Sequence, residues 1–337
     1  MSLTMYQLKL NISNLHFQVE SSELKPGVFR GLSEQFSSFI NLNGDVPDET
    51  LEVLSFRSLE GGKIDPDTES FIKKCLMAPL KKFPFRDDPE RDVEYFFGNL
   101  KSFFMDKRFR SFIEGMGGSK ETIVYPVDNG CLLRKGQPSR SAFFLKTGYF
   151  RGPEIASIIK AIYISASMAL PLKGSIMLHG AGIRRQGIGH LFLGLSNDGK
   201  TTISRMSLPE EVISDDGIIV TKDEKELKLE SAPIDQSVSY HNYSKGRIQG
   251  KTLLSMGFFL EKDDKVYLER VPPSEACCII LKNHIHYFRY FSPRSLENTF
   301  SLISELCRRV PFYRLHFRKD PTFWPVIDKE MERIYPF

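Results

Sequence analysis

The spacing of apolar residues predicts a mixture of short strands and helices over the first 150 positions of the chain. An opening hairpin is indicated where Leu8, Leu10 and Ile12, and then Phe17 and Val19, alternate with polar residues, since period-two alternation is typical of strands with one buried face. Further strands are predicted at 51–56, 122–127 and 142–145, helices at 69–77 and 93–104, and a loop at 83–89. We therefore expect a smaller α+β domain of unknown role over residues 1–150.

An apolar stretch at 155–172 is the nearest candidate for a membrane span. Its apolar residues recur at helical spacing, Pro153 suits the first turn of a helix, and Pro171 ends the run. Lys160 and several serines interrupt it. The pattern favours an amphipathic core helix that leads into a strand, and we expect no membrane partner.

Residues 151–337 predict a second domain in which strands and helices are interspersed. Strands are predicted at 175–179, 191–193, 212–214, 218–220, 226–230, 253–261, 265–271 and 312–317, and helices at 274–284, 293–309 and 322–334. The polar segment 234–250 is long for a loop in a compact domain, which raises the case for a functional role. Lys245 or Arg247 could bring a cation to a moving phosphoryl group, the alternative being an ordinary solvated loop.

A phosphate-binding motif lies within this second half. Gly194, Gly199, Lys200 and Thr201 fall at the spacing G-x-x-x-x-G-K-[ST], directly after an apolar run and before a predicted helix. In that context backbone N–H groups cradle a polyphosphate, Lys200 reaches the terminal phosphates and Thr201 ligates Mg²⁺. The nucleotide-binding residues are therefore predicted to be Gly194, Leu195, Ser196, Asn197, Asp198, Gly199, Lys200, Thr201 and Thr202, with ATP and Mg²⁺ as cofactors.

Two carboxylates and an imidazole end neighbouring predicted strands. Asp215 and Asp216 follow a short apolar strand, and His179 ends another. Beside a phosphate loop, one carboxylate can hold Mg²⁺ while the other accepts a proton from an attacking hydroxyl. Taken singly, the acidic pair is typical of a solvated turn and the histidine of a protein core. Their order and proximity favour a functional site.

The series L-H-G-A-G, F-L-G-x-S-x-x-G-K-T-T and S-D-D resembles the catalytic domain of the HPr kinase/phosphorylase family. It also resembles the nucleotide site of ATP-dependent phosphoenolpyruvate carboxykinase. The apolar strand after the Asp pair and the short chain favour the kinase relatives. The resemblance implies an α/β phosphate-loop domain with a mixed, partly antiparallel sheet. It also implies that Asp215 is the proton acceptor, that Asp216 is a metal-side carboxylate, and that His179 orients the pair.

The chain departs from the family pattern at two loop positions and downstream. Asn197 and Asp198 stand where the family usually has glycine and a small residue, and Asp198 must point away from phosphates or weaken their binding. Glu230 is only a weak match to the downstream acidic metal signature. The sequence therefore also allows a nucleotide-gated regulator without transfer activity, or a carboxykinase-like enzyme, which would need a basic pocket for a dicarboxylate.

Composition and charge indicate which binding partners and which cellular compartment to expect. The formal net charge is +4 and the basic residues are dispersed, which gives no case for nucleic acid. The five cysteines, at 75, 131, 277, 278 and 307, show no C-x-x-C spacing and predict reduced thiols in a cytoplasmic protein. We expect a kinase whose acceptor is a hydroxyl on a small protein, a peptide or a metabolite. The oligomeric state stays open, a homo-oligomer included.

Overall fold

The computed structural model of the chain is an α/β protein with two mixed sheets, consistent with an α/β nucleotide-binding fold. It describes residues 5–40, 45–57, 66–81, 93–94, 97–98, 100, 103, 106–115, 123–127, 130–135, 140–147, 153–208, 210–232 and 250–335. The chain forms two compact units. The first comprises Met1–Ala169 and Tyr287–Ser292, and the second Leu170–His286 and Pro293–Phe337.

The first unit contains a mixed sheet with the strand order β1-β2-β3-β6-β5-β4. Strand β3 runs parallel to β2 and β6, and the remaining neighbours are antiparallel. The elements are β1 (Tyr6–Ile12), β2 (Leu15–Ser21), α1 (Pro26–Gln35), β3 (Glu49–Arg57), α2 (Pro66–Lys81), α3 (Lys107–Gly115), β4 (Ile123–Val127), β5 (Gly130–Lys135), β6 (Arg140–Thr147) and α4 (Pro153–Ala169). The predicted hairpin, three further strands and first helix are confirmed. Helices α1 and α3 and strand β5 were not predicted, and the predicted loop at 83–89 lies outside the described residues.

Helix α4 belongs to the first unit. It packs on β2, β3 and β6, because its apolar residues cover one face of that sheet. The first compact unit therefore includes this helix and, later in the chain, Tyr287–Ser292. The domain boundary between residues 150 and 151 stays a prediction from the sequence. By length and composition the Glu154–Lys173 stretch could cross a membrane, but 67% of it is buried within the protein, as in the core helix of a globular fold.

A buried ion pair crosses the sheet of the first unit. Glu49 is fully buried, and its carboxylate accepts hydrogen bonds from the Arg134 guanidinium at 3.0 Å and from the Ser141 hydroxyl at 2.8 Å. Removing one member of such a pair leaves the other charge buried and uncompensated.

We expect Glu49→Ala to lower the free energy of unfolding of the first unit by about 3 kcal/mol, because the Arg134 charge would lose its counter-ion. Hydrogen exchange measured on peptides from β3 and β6 would detect this unit separately from the second. The double variant Glu49→Leu with Arg134→Met should recover most of the loss. Unchanged protection in Glu49→Ala would show that the pair does not stabilise the sheet.

The second unit contains the longer sheet, in the order β11-β10-β7-β8-β12-β14-β13, with β9 paired to β7. Strand β12 runs parallel to β8 and β14. It also pairs with β11, so that β11, β10, β7, β8 and β12 form a closed ring of paired strands. The elements are β7 (Ser175–Arg185), β8 (Ile188–Leu193), α5 (Lys200–Met206), β9 (Glu211–Ser214), β10 (Gly217–Asp223), β11 (Glu226–Ser231), β12 (Thr252–Lys262), β13 (Tyr267–Val271), α6 (Pro273–Asn283), α7 (Pro293–Arg309), β14 (Phe312–Phe317) and α8 (Phe323–Ile334). The strands and helices predicted for this half are confirmed.

Two apolar clusters fill the second unit. One contains Ile280 of α6 and Leu302 and Leu306 of α7, packed with strand residues. The other contains Ile203 of α5 and Trp324 of α8. The last helices therefore cover the sheet, as their amphipathic patterns predict. The polar segment at 234–249, with Lys245 and Arg247, lies outside the described residues.

Candidate functional site

The phosphate-loop motif forms the connection between β8 and α5. Strand β8 ends at Leu193, and α5 begins at Lys200. The backbone enters the left-handed region at Asn197, with φ 71°, and at Gly199, with φ 108°. A Cβ at Gly199 would lie 2.8 Å from the Phe317 ring, so both the backbone angle and the close approach require glycine here. The strand, glycine loop and helix thus follow one another as the motif requires.

Lys200 is folded onto the loop. Its side chain is buried, and Nζ donates to the carbonyl oxygens of Gly194 at 2.8 Å and Leu195 at 2.9 Å. Burial lowers the pKa of the ammonium, and the carboxylates of Asp216, Asp198 and Asp215 act in the opposite direction. The three carboxylates therefore favour the charged form of Lys200, whereas burial favours the neutral form.

The Asp198 carboxylate also turns into the loop. It accepts the backbone N–H of Leu195, while the Asp198 N–H donates to the Leu195 carbonyl at 3.2 Å. Lys262 donates to the Asn197 carbonyl from outside the loop. The sequence required Asp198 to point away from phosphates or weaken their binding, and the structure places its carboxylate on the main-chain N–H of Leu195 within the loop. Of the other predicted nucleotide contacts, Leu195, Ser196 and Thr201 are exposed, and Thr202 is half-buried.

We expect Asp198→Ala to raise the affinity for ATP·Mg²⁺ about 10-fold, because the Leu195 N–H becomes available and a negative charge leaves the loop. Isothermal titration would measure it. Asp198→Asn is the matched control: its amide oxygen can still accept the Leu195 N–H, so the gain from that variant reports the charge alone. Weaker binding by Asp198→Ala would mean that the carboxylate shapes the loop for binding.

Sheet register brings the other predicted residues to the same edge as the loop. On β7, Gly180 pairs with Leu193, the last residue before the loop, and His179 pairs with Gly217, the residue after the Asp pair. The Gly180 N–H also donates to the Asp216 carbonyl at 3.0 Å. Strand β7 therefore lies between the phosphate loop and the two carboxylates.

The side chains of this edge differ in burial. Asp215 is 7% exposed, whereas the Asp216 side chain is 31% exposed. His179 Nδ1 faces Asp216 Oδ1 at 3.4 Å, so the imidazole lies against the predicted metal-side carboxylate. Burial lowers the pKa of His179, Lys200 lowers it further, and Asp216 partly offsets both. The imidazole is thus neutral at pH 7.

Two further histidines, which were not predicted, belong to this edge. The carbonyl of His284 accepts the His179 N–H at 2.8 Å, and the ring of His286 lies 4.7 Å from that of His179. His284 is 3% exposed, and its Nδ1 has no hydrogen-bond partner among the residues that the structure describes. Burial lowers the pKa of both new histidines to about 4. The H-x-H spacing at 284–286 is the sequence signal that could have found them.

The two predicted metal ligands, Thr201 and Asp216, each present an oxygen atom to solvent. Among the described residues, no three His, Cys, Asp or Glu side chains are grouped to hold a metal. Mg²⁺ on a nucleotide takes one or two protein oxygens, with phosphates and water completing its shell. The partly exposed Asp216 carboxylate and the exposed Thr201 hydroxyl supply such oxygens. Glu230 lies on β11, opposite Ile219 of β10.

A cavity of about 550 Å³ lies at the other end of β7 and β8 from the phosphate loop. Its basic residues are already paired: Arg185 binds Glu210 and Asp328, and Arg309 binds Glu305. It is therefore not the basic pocket beside the phosphate loop that a carboxykinase-like reaction would need.

No known protein-family model matches the chain, and no curated protein matches its sequence. Among solved structures, the HPr(Ser) kinase/phosphatase from Coxiella burnetii is similar, at 12% sequence identity and a TM-score of 0.26. The match covers 47% of this chain and 97% of that one. At this TM-score the similarity is distant, and it does not identify what this protein binds or does.

Proposed function

We propose that the protein is an ATP-dependent kinase that transfers the γ-phosphate to a hydroxyl acceptor, either a serine of a small protein or peptide or a small metabolite. The observation that supports this most directly is that Lys200, His179 and the Asp215–Asp216 pair meet at one edge of the second sheet. Transfer of a phosphoryl group to a hydroxyl requires a cation on the phosphates, a metal-holding oxygen and a proton acceptor. In the proposed reaction, residues of this edge take each of these roles.

Each residue has a separate role in the proposed reaction. Lys200 exchanges its two loop carbonyls for the terminal phosphates, and the loop N–H groups bind phosphate oxygens. Thr201 and Asp216 would hold Mg²⁺, which would neutralise charge on the phosphates. Asp215 accepts the hydroxyl proton as the new O–P bond forms and the bond between the γ-phosphorus and ADP breaks. His179 holds Asp216 in place.

A second candidate is a nucleotide-gated regulator that binds ATP without transferring phosphate. It is favoured by the Asp198 carboxylate, which accepts the Leu195 N–H within the loop. A nucleotide that displaced this carboxylate would change the loop without any chemistry. The two candidates share the binding residues and differ only in turnover.

Incubation with γ-labelled ATP and Mg²⁺ tests the proposal. The protein would be offered lysate proteins and a panel of hydroxyl-bearing metabolites, with Lys200→Ala as the inactive reference. Label that appears on an acceptor only with the wild type supports the kinase. Nucleotide binding without transfer or hydrolysis across the whole panel would instead support the regulator.

A further inference from the structure

The segment 284–286 runs alongside the end of β7. Leu178 and Ile285 form an isolated antiparallel bridge, and the neighbouring His179 N–H donates to the His284 carbonyl. Ile285 packs against the same apolar cluster that contains Leu178. Ile285 is a single bridged residue, and His284 and His286 on either side of it lie in turns. The turn at His286 brings its ring to that of His179, the residue after Leu178 on β7.

The two imidazoles meet edge to face. Their ring centroids are 4.7 Å apart, with an interplanar angle of 71°, which is a favoured geometry for aromatic pairs. Burial lowers the pKa of His286 to about 4, so this ring is neutral where it packs. His179 is thereby held between the His286 ring and the Asp216 carboxylate, 3.4 Å from its Nδ1.

We propose that His286 is a positioning residue, whose ring contact holds the imidazole of His179 with Nδ1 toward Asp216. Among the described residues His179 Nδ1 makes no hydrogen bond, and the oxygen it faces is Asp216 Oδ1 at 3.4 Å. A carboxylate in this position favours the tautomer of a neutral imidazole that carries its N–H on the facing nitrogen. The His286 ring blocks rotation of His179 about its Cβ–Cγ bond, which would remove Nδ1 from Asp216. The positioning of His179 does not depend on the proposed kinase function. Only the effect of this positioning on catalysis rests on that function.

Histidine-selective nitrogen NMR tests the positioning directly, with His179→Gln used to assign the His179 signal. The wild type should show His179 as a single tautomer with the proton on Nδ1. His286→Phe keeps a ring in place and should preserve that tautomer, whereas His286→Ala should give averaged signals. Circular dichroism would establish that both variants are folded. If the folded His286→Ala variant keeps the wild-type signal, or both variants lose it equally, the ring contact does not position His179.

Kinetics provide a second measurement, which separates this inference from the kinase proposal. His286→Ala should lower kcat for transfer about 10-fold or more, since small misplacements of catalytic groups are costly, while the affinity for ATP·Mg²⁺ stays within about 3-fold. His286→Phe should recover most of the rate. Equal losses in kcat by both variants would overturn the positioning role. If the wild type transfers nothing, the kinase proposal fails, and the NMR result still decides the role of His286.

Discussion

Asp215→Asn is expected to reduce phosphoryl transfer by about 10²- to 10⁴-fold, the contribution of a well-placed proton acceptor. A hydroxyl is a weak nucleophile at pH 7, and an amide cannot take its proton. Since Asn has the size of Asp, ATP·Mg²⁺ affinity should stay within a few-fold of wild type. Initial rates of transfer from labelled ATP, together with titration of the nucleotide, would measure both effects on one preparation.

Asp223→Asn is the matched control for this prediction. It makes the same change at the other end of β10, where Asp223 pairs with Lys228 outside the site. Its transfer rate should equal that of wild type. Full activity in Asp215→Asn would remove Asp215 as the proton acceptor. Transfer lost together with nucleotide binding would show that Asp215 supports the phosphate loop.

Lys200→Ala is expected to weaken ATP·Mg²⁺ binding on the order of 10²-fold, because a charge-assisted hydrogen bond to phosphate contributes about 1.5–3 kcal/mol. Isothermal titration at fixed ionic strength would measure it. The loss should shrink as salt concentration rises, since exposed parts of the phosphate are screened.

The loop itself offers the control for Lys200→Ala. Lys262 also donates to a loop carbonyl, that of Asn197, but from the outer side. Lys262→Ala should leave nucleotide affinity within about 3-fold of wild type, because screening leaves an exposed charge at the rim little effect. Equal losses in the two variants would mean that both lysines act by holding the loop together. Equal affinity in wild type and Lys200→Ala would end the phosphate-loop interpretation.

The sequence predicted the parts of the fold that depend on local pattern. Alternation found the hairpin of β1 and β2, and helical spacing found α6, α7 and α8. Helix α1 was missed although Pro26 suits its first turn, because Gly27 and Gly31 lower its helix propensity. Strand β5 was missed because the apolar run Cys131–Leu133 is short and fully buried, which leaves no alternation to detect.

The sequence predicts best the part of the candidate site that consecutive residues form. The spacing of Gly199, Lys200 and Thr201 predicted a glycine loop between a strand and a helix, and the structure has that order of elements. His286 is different, because it reaches His179 only through the bridge between Leu178 and Ile285, a pairing that no local pattern specifies. The direction of the Asp198 side chain also depended on the loop conformation, since the carboxylate reaches the Leu195 N–H only when the backbone turns at Asn197.

The return of Tyr287–Ser292 to the first unit has a consequence for the order in which a nascent chain can fold. Within that unit Tyr287 contacts the rings of Tyr125 and Tyr163, with centroids 5.4 and 6.0 Å apart. A ribosome releases the N-terminal part first, and domains generally fold as they emerge. Here the first unit cannot complete these contacts until most of the second has been translated. The first unit can therefore form all of its contacts only after Tyr287–Ser292, a segment made near the end of synthesis, has been translated.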